Sequence, residues 1–197
     1  MKIFLASKSP RRQELLKKLG VPFTVVSLEV SEIPDKNINV QEQILDIARR
    51  KAEAAIELLK NREKGPFLVI SADTEVIHAN QLMGKPEDEQ KAIETLVQLS
   101  GQWHHVTTAL VIITYPDNIL LTHIETTKIK FKDLSLNTIK TYVATGEPMD
   151  KAGSYGIQGL GRNLVEVIQG DFENVVGLPV NALAQLLADL DLGPEKK

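Results

Sequence analysis

KIFLASKSPRRQELLKKLG, residues 2–20, is the stretch of sequence that decides the fold class. Its first five residues form a short apolar run rich in β-formers, which predicts a buried strand over 2–6. A helix is predicted next, because Ser9 suits an N-cap, Pro10 suits the first helical position and Gly20 is a typical stop. A strand that leads directly into a helix is typical of α/β proteins.

Strand and helix patterns alternate along the rest of the chain. Strands are predicted over 23–28, 67–72, 75–78, 81–83, 104–115, 119–131 and 163–168, and helices over 40–60, 87–99, 134–146 and 179–190. Residues 116–118, Pro-Asp-Asn, are typical of a turn between two long strands, so an antiparallel pair is expected. The pattern therefore predicts a mixed α/β sheet in one domain over residues 1–190, with a short frayed tail over 191–197.

Composition excludes several classes of protein. The chain has 197 residues, 43% of them hydrophobic, a formal net charge of −3 and no cysteine. Disulfides, thiolate zinc sites and a cysteine nucleophile are therefore excluded, and no basic field favours nucleic acid. No apolar run approaches the about 18–20 residues of a membrane span, and residues 10–12, Pro-Arg-Arg, interrupt any signal peptide. We expect a soluble intracellular protein without nucleic-acid or membrane partners.

The junction between the first strand and the first helix, residues 7–12, is the first candidate site. Backbone N–H groups at a helix N-terminus attract anions, whereas Arg11 and Arg12 oppose the helix dipole there. Because this arrangement of charges is unfavourable without a bound anion, it is a reason to expect a phosphate ligand. The alternative is two solvated arginines that follow a helix cap.

Three further segments carry candidate chemistry. Asp73 follows the most apolar strand, where α/β proteins build sites, and can hold a divalent metal or accept a proton. Lys85 lies between Gly84 and Pro86 and is a compact cation suited to a phosphate. Five glycines within residues 146–161 predict a tightly shaped loop that a ligand can approach closely. The alternatives are a turn aspartate, an ordinary loop lysine and a set of buried turns.

Other polar residues carry no clear chemical signal by themselves. The adjacent His104 and His105 would lie on opposite faces of a strand, so a shared metal is not expected. The basic residues 49–51 are interpreted as a solvated helix face, and Glu32 as an exposed loop carboxylate.

Taken together, five motifs resemble the Maf family of nucleoside triphosphate pyrophosphatases from residue 3 to about residue 190. They are LASKSPRRQELLKKLG (5–20), ISADTEV (70–76), MGKPEDEQKAIETLVQLSGQWHHVTTAL (83–110), YVATGEPMDKAGSYGIQGLG (142–161) and VVGLPV (175–180). The resemblance implies hydrolysis of a nucleoside triphosphate to the monophosphate and pyrophosphate, with a divalent metal (Mg or Mn), in the cytoplasm. It also implies a Maf/ITPase-like fold, in which a bent mixed sheet flanked by helices forms two lobes around a central cleft, and a possible homodimer.

The resemblance assigns roles to individual residues. The matching catalytic positions are Glu32, Lys51, Asp73 and Lys85, and the matching substrate-binding positions are Ser7, Arg11, Arg12, Thr74 and Gln158. Asp73 matches the proton acceptor of the family, and Asp73 and Glu32 are the candidate metal ligands. Which carboxylate binds metal and which activates water stays open.

The substrate is also suggested by the resemblance. PMDKAGSYGIQG, residues 148–159, is similar to the dTTP/UTP-hydrolysing branch, with Arg11, Thr74 and Gln158 at its specificity positions. The alternatives are another substrate, such as a purine nucleotide or 7-methyl-GTP, and a division-related nucleotide sensor without turnover. One departure is visible, since Ala79 and Asn80 stand where the family usually has a glycine turn. Asn80 can adopt the left-handed conformation, so we expect the hairpin to form.

Overall fold

The computed structural model describes residues 1–192, and residues 193–197 of the predicted tail lie outside the described part. The strands are β1 Lys2–Leu5, β2 Thr24–Val25, β3 Phe67–His78, β4 Gln81–Leu82, β5 Trp103–Tyr115, β6 Leu120–Phe131 and β7 Val165–Gln169. The helices are α1 Pro10–Lys17, α2 Val40–Leu59, α3 Glu89–Leu99, α4 Leu136–Val143, α5 Phe172–Val176 and α6 Val180–Ala188. Short 3₁₀ turns cover Glu147–Asp150, Ala152–Ser154 and Leu160–Leu164.

The strands form one seven-stranded sheet in the order β2-β1-β3-β5-β6-β7, with β4 paired to β3. β1 runs parallel to β2 and to β3, whereas β4 is antiparallel to β3 and β7 is antiparallel to β6. Parallel and antiparallel pairs in one sheet confirm the mixed α/β class. The helices found correspond to those predicted from capping residues and apolar periodicity, with α5 in addition.

The chain divides into two compact units. Unit 1 comprises residues 1–73, 108–125 and the chain from Gly177 on, and unit 2 comprises residues 74–107 and 126–176. β3, β5 and β6 each contribute residues to both units. A single domain over residues 1–190 stays a prediction.

Local sequence explains why α1 and α2 begin where they do. The Ser9 hydroxyl accepts from the Arg12 N–H at 3.4 Å, as expected of an N-cap. Asn39 and Glu42 cap α2 reciprocally, each side chain accepting from the backbone N–H of the other. The apolar stripe predicted for α2 is buried along its whole length: Ile44, Ile47, Ala48, Ala52, Ala55, Ile56 and Leu59.

The main correction concerns β3, which continues to His78 instead of ending at residue 72. Asp73 therefore lies inside a strand and not at its C-terminal end. The strand continues because Ile77 and His78 pair with β4, and because the Met83 N–H donates to the Val76 carbonyl at 2.8 Å. The apolar run ends at residue 72, but backbone hydrogen bonds continue the strand to His78.

Two smaller differences follow from pairing and capping. β2 has two residues instead of the predicted six, because it pairs only with the last two residues of β1. The unpredicted α5 begins where the Asp171 carboxylate accepts from the Glu173 N–H at 2.7 Å. No helix among the described residues is long and apolar enough to cross a membrane.

The turn between β3 and β4 forms without glycine, as expected from Asn80. Ala79 and Asn80 have φ angles of +48° and +61°. Asn tolerates this left-handed region, whereas an alanine there is strained by its Cβ atom. The hairpin therefore forms at a conformational cost concentrated at Ala79.

Replacing Ala79 with Asn should raise the free energy of unfolding by up to about 1 kcal/mol, because Asn accepts the left-handed region more readily. Urea denaturation measures this change. Ala144→Asn is the control, since the φ angle of Ala144 is −61° and no strain is relieved there. An equal gain at both positions would contradict the explanation.

Candidate active site

Two carboxylates and one ammonium group form a triad in unit 1. The Lys51 Nζ lies 2.6 Å from Glu32 Oε1 and 2.7 Å from Asp73 Oδ1. The Lys51 and Asp73 side chains are only 14% and 9% exposed, whereas the Glu32 side chain is 49% exposed. We call Glu32, Lys51 and Asp73 the carboxylate–lysine triad. It brings together three of the four residues predicted to be catalytic.

The packing of α2 on β3 fixes two members of the triad. The Ser71 hydroxyl donates to the Ala48 carbonyl at 2.6 Å, and both residues are buried. Residues three apart share a helix face and residues two apart share a strand face. The contact between Ser71 and Ala48 therefore sets the register that brings Lys51 to Asp73.

One oxygen of Asp73 is available for a ligand. Asp73 Oδ2 is buried and has no hydrogen-bond partner among the described residues. A buried carboxylate oxygen without a donor is unfavourable, and a hard divalent cation satisfies such an oxygen. The triad carries two negative charges and one positive charge, so its net charge also favours a cation.

The residues present fit a divalent cation that needs few protein ligands. Within residues 1–192, no group of three or more His, Asp or Glu side chains forms a metal cage. Mg²⁺ keeps several waters and is usually held by one or two carboxylates together with substrate phosphates. Asp73 and Glu32 supply this number of carboxylates.

The segment predicted to bind phosphate is held at the start of α1. The buried Ser7 Oγ accepts from the Ser9 N–H at 3.2 Å and from Arg12 Nη1 at 3.5 Å. Arg12 Nε donates to the Gly177 carbonyl at 2.8 Å. Arg11 lies partly exposed in the first turn of α1. These contacts fix the backbone and the guanidinium of Arg12.

The remaining predicted site residues, Thr74, Lys85 and Gln158, belong to unit 2. Thr74 follows Asp73 on β3, and its side chain points to the opposite face of the strand. Lys85 is exposed, and the chain before it is tied down because the Gly84 carbonyl accepts from the Gly153 N–H at 2.8 Å. This bond joins the segment before Lys85 to the glycine-rich loop.

Gln158 lies at an exposed turn that the buried Tyr142 and the half-buried Glu147 hold on both sides. Before it, the Gly156 N–H donates to the Tyr142 hydroxyl at 3.0 Å, and this hydroxyl donates to Glu147 Oε1 at 2.9 Å. After it, the Leu160 and Gly161 N–H groups donate to the Glu147 carboxylate at 2.8 and 3.0 Å. We call Tyr142 and Glu147 the loop clamp.

The glycines of this loop are required by close approach. A Cβ atom on Gly159 would lie 2.3 Å from Glu147 Oε2, and one on Gly161 would lie 2.8 Å from backbone atoms of Gly156. The expectation of a tightly shaped loop is therefore confirmed. The backbone of this loop packs closely against the side chains of the loop clamp.

The loop clamp keeps its carboxylate charged. Burial tends to raise the pKa of Glu147, but hydrogen bonds from the Gly161 and Leu160 N–H groups and from Tyr142 outweigh it and lower the pKa. A lowered pKa in the folded state means that the stabilisation is present above the unfolded pKa. It is lost as the pH falls through the lower folded value.

Sequence reasoning missed or misjudged several of these residues. The interpretation of residues 49–51 as a solvated helix face is wrong, because Lys51 is largely buried in the triad and Arg50 contacts Asp46 and backbone carbonyls. No local pattern in the sequence distinguishes Tyr142 and Glu147 from other polar residues. His104 is structural: burial lowers its pKa to about 3, and it packs against Phe131 and Tyr155.

Comparison with known proteins finds a family model, several relatives and a solved structure that are similar to this chain. A family model described as Maf-like protein matches residues 2–190. A dTTP/UTP pyrophosphatase of Bdellovibrio bacteriovorus is 51% identical over 94% of this chain and 97% of that protein. Proteins of the same name from Acetivibrio thermocellus and Aquifex aeolicus are 45% and 44% identical, and the alignments cover 100% and 98% of this chain and 99% and 97% of those proteins. A solved dITP/XTP pyrophosphatase of Mycobacterium abscessus aligns with 96% of this chain and 94% of its own, at 19% identity and a TM-score of 0.45.

Replacing Tyr142 with Phe should lower the free energy of unfolding by about 1–3 kcal/mol, because the buried Gly156 N–H loses its acceptor. Urea denaturation measures the loss. Tyr115→Phe is the matched control, because Tyr115 contributes its ring by stacking on Phe67 at 5.0 Å. Equal losses in the two variants would mean that the Tyr142 hydroxyl does not hold the loop.

Proposed function

The chain belongs to the Maf-like protein family, and from this premise we propose that it hydrolyses dTTP and UTP to the monophosphate and pyrophosphate. Relatives that are 44–51% identical along nearly their whole length are named dTTP/UTP pyrophosphatase, which supports this activity. The structural observation that carries the proposal is the carboxylate–lysine triad, with the buried Asp73 Oδ2 available for a ligand or a proton.

The reaction requires a water molecule to attack the α-phosphorus while the bond from that phosphorus to the bridging oxygen breaks. Pyrophosphate leaves, and the attacking water loses a proton to a base. Asp73 or Glu32 accepts this proton, and Lys51 holds both carboxylates in place by contact with one oxygen of each.

Asp73 and Glu32 are also the residues that would hold a divalent cation, Mg²⁺ or Mn²⁺. When bound, such a cation offsets negative charge that develops on the phosphate oxygens. Mg²⁺ needs only one or two protein carboxylates when it also contacts substrate phosphates, so this pair is sufficient.

The phosphate chain brings about four negative charges that need compensation. Arg11 and Arg12 lie in the first turn of α1, where backbone N–H groups also attract an anion. Ser7 holds Arg12 by accepting from its Nη1 at 3.5 Å. The role of Lys85 on the phosphates, and those of Thr74 and Gln158 on the base, rest on the family resemblance. A cytoplasmic location and a homodimer rest on it too.

Incubation of the protein with UTP or dTTP and Mg²⁺ or Mn²⁺ tests the proposal directly. Equal amounts of monophosphate and pyrophosphate are the expected products. Release of orthophosphate would contradict the proposed bond cleavage, and nucleotide binding without turnover would favour a sensor. A purine triphosphate or 7-methyl-GTP as the best substrate would overturn the substrate assignment.

Asp73→Asn should lower turnover at least about 100-fold, because it keeps the size of the side chain but removes its charge and proton-accepting oxygen. Initial rates of pyrophosphate release measure the effect, and thermal unfolding checks the fold. Asp117→Asn, at an exposed turn, is the matched control and should retain full turnover. Near-normal turnover of the Asp73 variant would remove Asp73 from the catalytic residues.

Gln158→Ala should reduce the preference for UTP and dTTP over CTP, ATP and GTP. A side-chain amide both donates and accepts, which matches the polar edge of uracil or thymine, and unpaired polar groups penalise a wrong base. Ratios of kcat/KM across the five nucleotides measure the preference, with Gln98→Ala on the exposed face of α3 as control. Unchanged ratios in the Gln158 variant would exclude a base contact.

A further inference from the structure

Arg50 holds the backbone on both sides of Glu32. Its Nη1 donates to the Ser31 carbonyl at 2.5 Å, and its Nη2 donates to the Ile33 carbonyl at 2.9 Å. One planar guanidinium therefore spans the residue that supplies the outer carboxylate of the triad. These two hydrogen bonds join Arg50 to residues that lie 19 and 17 positions earlier in the chain.

The guanidinium of Arg50 is itself fixed in direction. Its Nε donates to Asp46 Oδ2 at 2.9 Å, one turn earlier on α2. The Arg50 and Asp46 side chains are only 29% and 38% exposed. Because the five donors of a guanidinium lie in one plane, fixing Nε also fixes the two nitrogens that point at the loop.

The loop that carries Glu32 lies at the protein surface. Residues 31–33 are all exposed, and the apolar side chain of Ile33 is 77% exposed, so burial does not anchor the segment. Within the loop, the Ser31 hydroxyl accepts from the Ile33 N–H at a long 3.4 Å. The two hydrogen bonds from Arg50 therefore hold a segment that burial does not anchor.

We propose that Arg50 is a positioning residue that holds Glu32 in the active geometry by binding the carbonyl groups of Ser31 and Ile33. This inference rests on the proposed function, because it assigns Arg50 to the site of that reaction. Consecutive residues of α2 have separate roles, since Arg50 holds the backbone of the loop and Lys51 holds the Glu32 carboxylate.

Lys51 alone cannot fix Glu32. An ammonium group on a flexible stem defines a distance but little orientation, whereas a planar guanidinium defines both. Without Arg50, the Glu32 carboxylate would still meet Lys51, but the backbone on both sides of Glu32 would lose a hydrogen bond. Loss of a residue that holds a metal ligand in place typically lowers activity or metal affinity about 10- to 100-fold.

Arg50→Lys is the decisive variant, because it keeps the charge and the Asp46 ion pair but cannot reach both carbonyls. We expect kcat/KM for UTP to fall about 10- to 100-fold with the fold retained. Asp46→Asn should show a smaller fall, since it releases the guanidinium only indirectly. Arg62→Lys, just beyond the C-terminal end of α2, is the matched control and should behave like the wild type.

A double-mutant cycle separates positioning from a general structural effect. If Arg50 acts through Glu32, Arg50→Lys should cause no further loss of activity in a protein that already carries Glu32→Gln. Losses that multiply in the double variant would show that Arg50 acts by another route and would overturn the proposal.

Two further measurements do not depend on turnover. Hydrogen exchange of the backbone N–H groups of residues 30–33 should become faster in Arg50→Lys than in Arg62→Lys, while exchange in the buried part of β3 stays unchanged. Titration with Mn²⁺ alone, followed by electron paramagnetic resonance, should show weaker binding in Arg50→Lys than in Arg62→Lys. Unchanged exchange over residues 30–33 would overturn the proposal.

The same measurements separate this inference from the proposed function. A wild-type protein that releases no pyrophosphate from any nucleotide would contradict the proposed function. The exchange comparison would then still decide whether Arg50 holds the loop around Glu32.

Discussion

One ammonium group shared by two carboxylates is the interaction on which the candidate site depends. Asp73 lies in the buried part of β3, where an unpaired charge would be strongly unfavourable. Lys51 supplies the pairing charge from α2, and the bond from Ser71 to Ala48 sets the register between the two elements. The apolar stripe of α2 thus serves both stability and chemistry, because burying it delivers the lysine to the aspartate.

Charged side chains also hold loop backbone at two other places in the chain. In unit 1, Arg50 donates to carbonyl groups on both sides of Glu32. In unit 2, the Glu147 carboxylate accepts from the N–H groups of Leu160 and Gly161. A charged side chain that bonds two backbone groups orders a loop more effectively than exposed apolar residues can. In both units the loop that is held carries a residue predicted to face the substrate.

The sequence predicts those features whose causes lie within a few residues, and it does not predict those that depend on contacts between distant segments. The start of α1 and the stripe of α2 are predictable, because Ser9 and the 3.6-residue period act within a few residues. The position of Asp73 inside β3 is not, because the pairing with β4 continues the strand beyond the apolar run. Gly159 predicts a close approach, but its partner Glu147 is more than ten residues away. Glu32 and Lys51 stand out only through the family resemblance, since ion pairs between distant segments leave no local pattern.

The net charge of the triad determines which ligands it attracts. Two carboxylates and one ammonium leave a net negative charge, and such a group repels a nucleoside triphosphate. Arg11 and Arg12 at the start of α1 supply two positive charges, but they do not cancel the buried charge at Asp73 itself. A divalent cation on Asp73 and Glu32 would reverse the sign of the triad and make it attractive to phosphate. The pairing that keeps Asp73 stable in the sheet therefore also leaves the net negative charge that, in the proposed reaction, such a cation would offset.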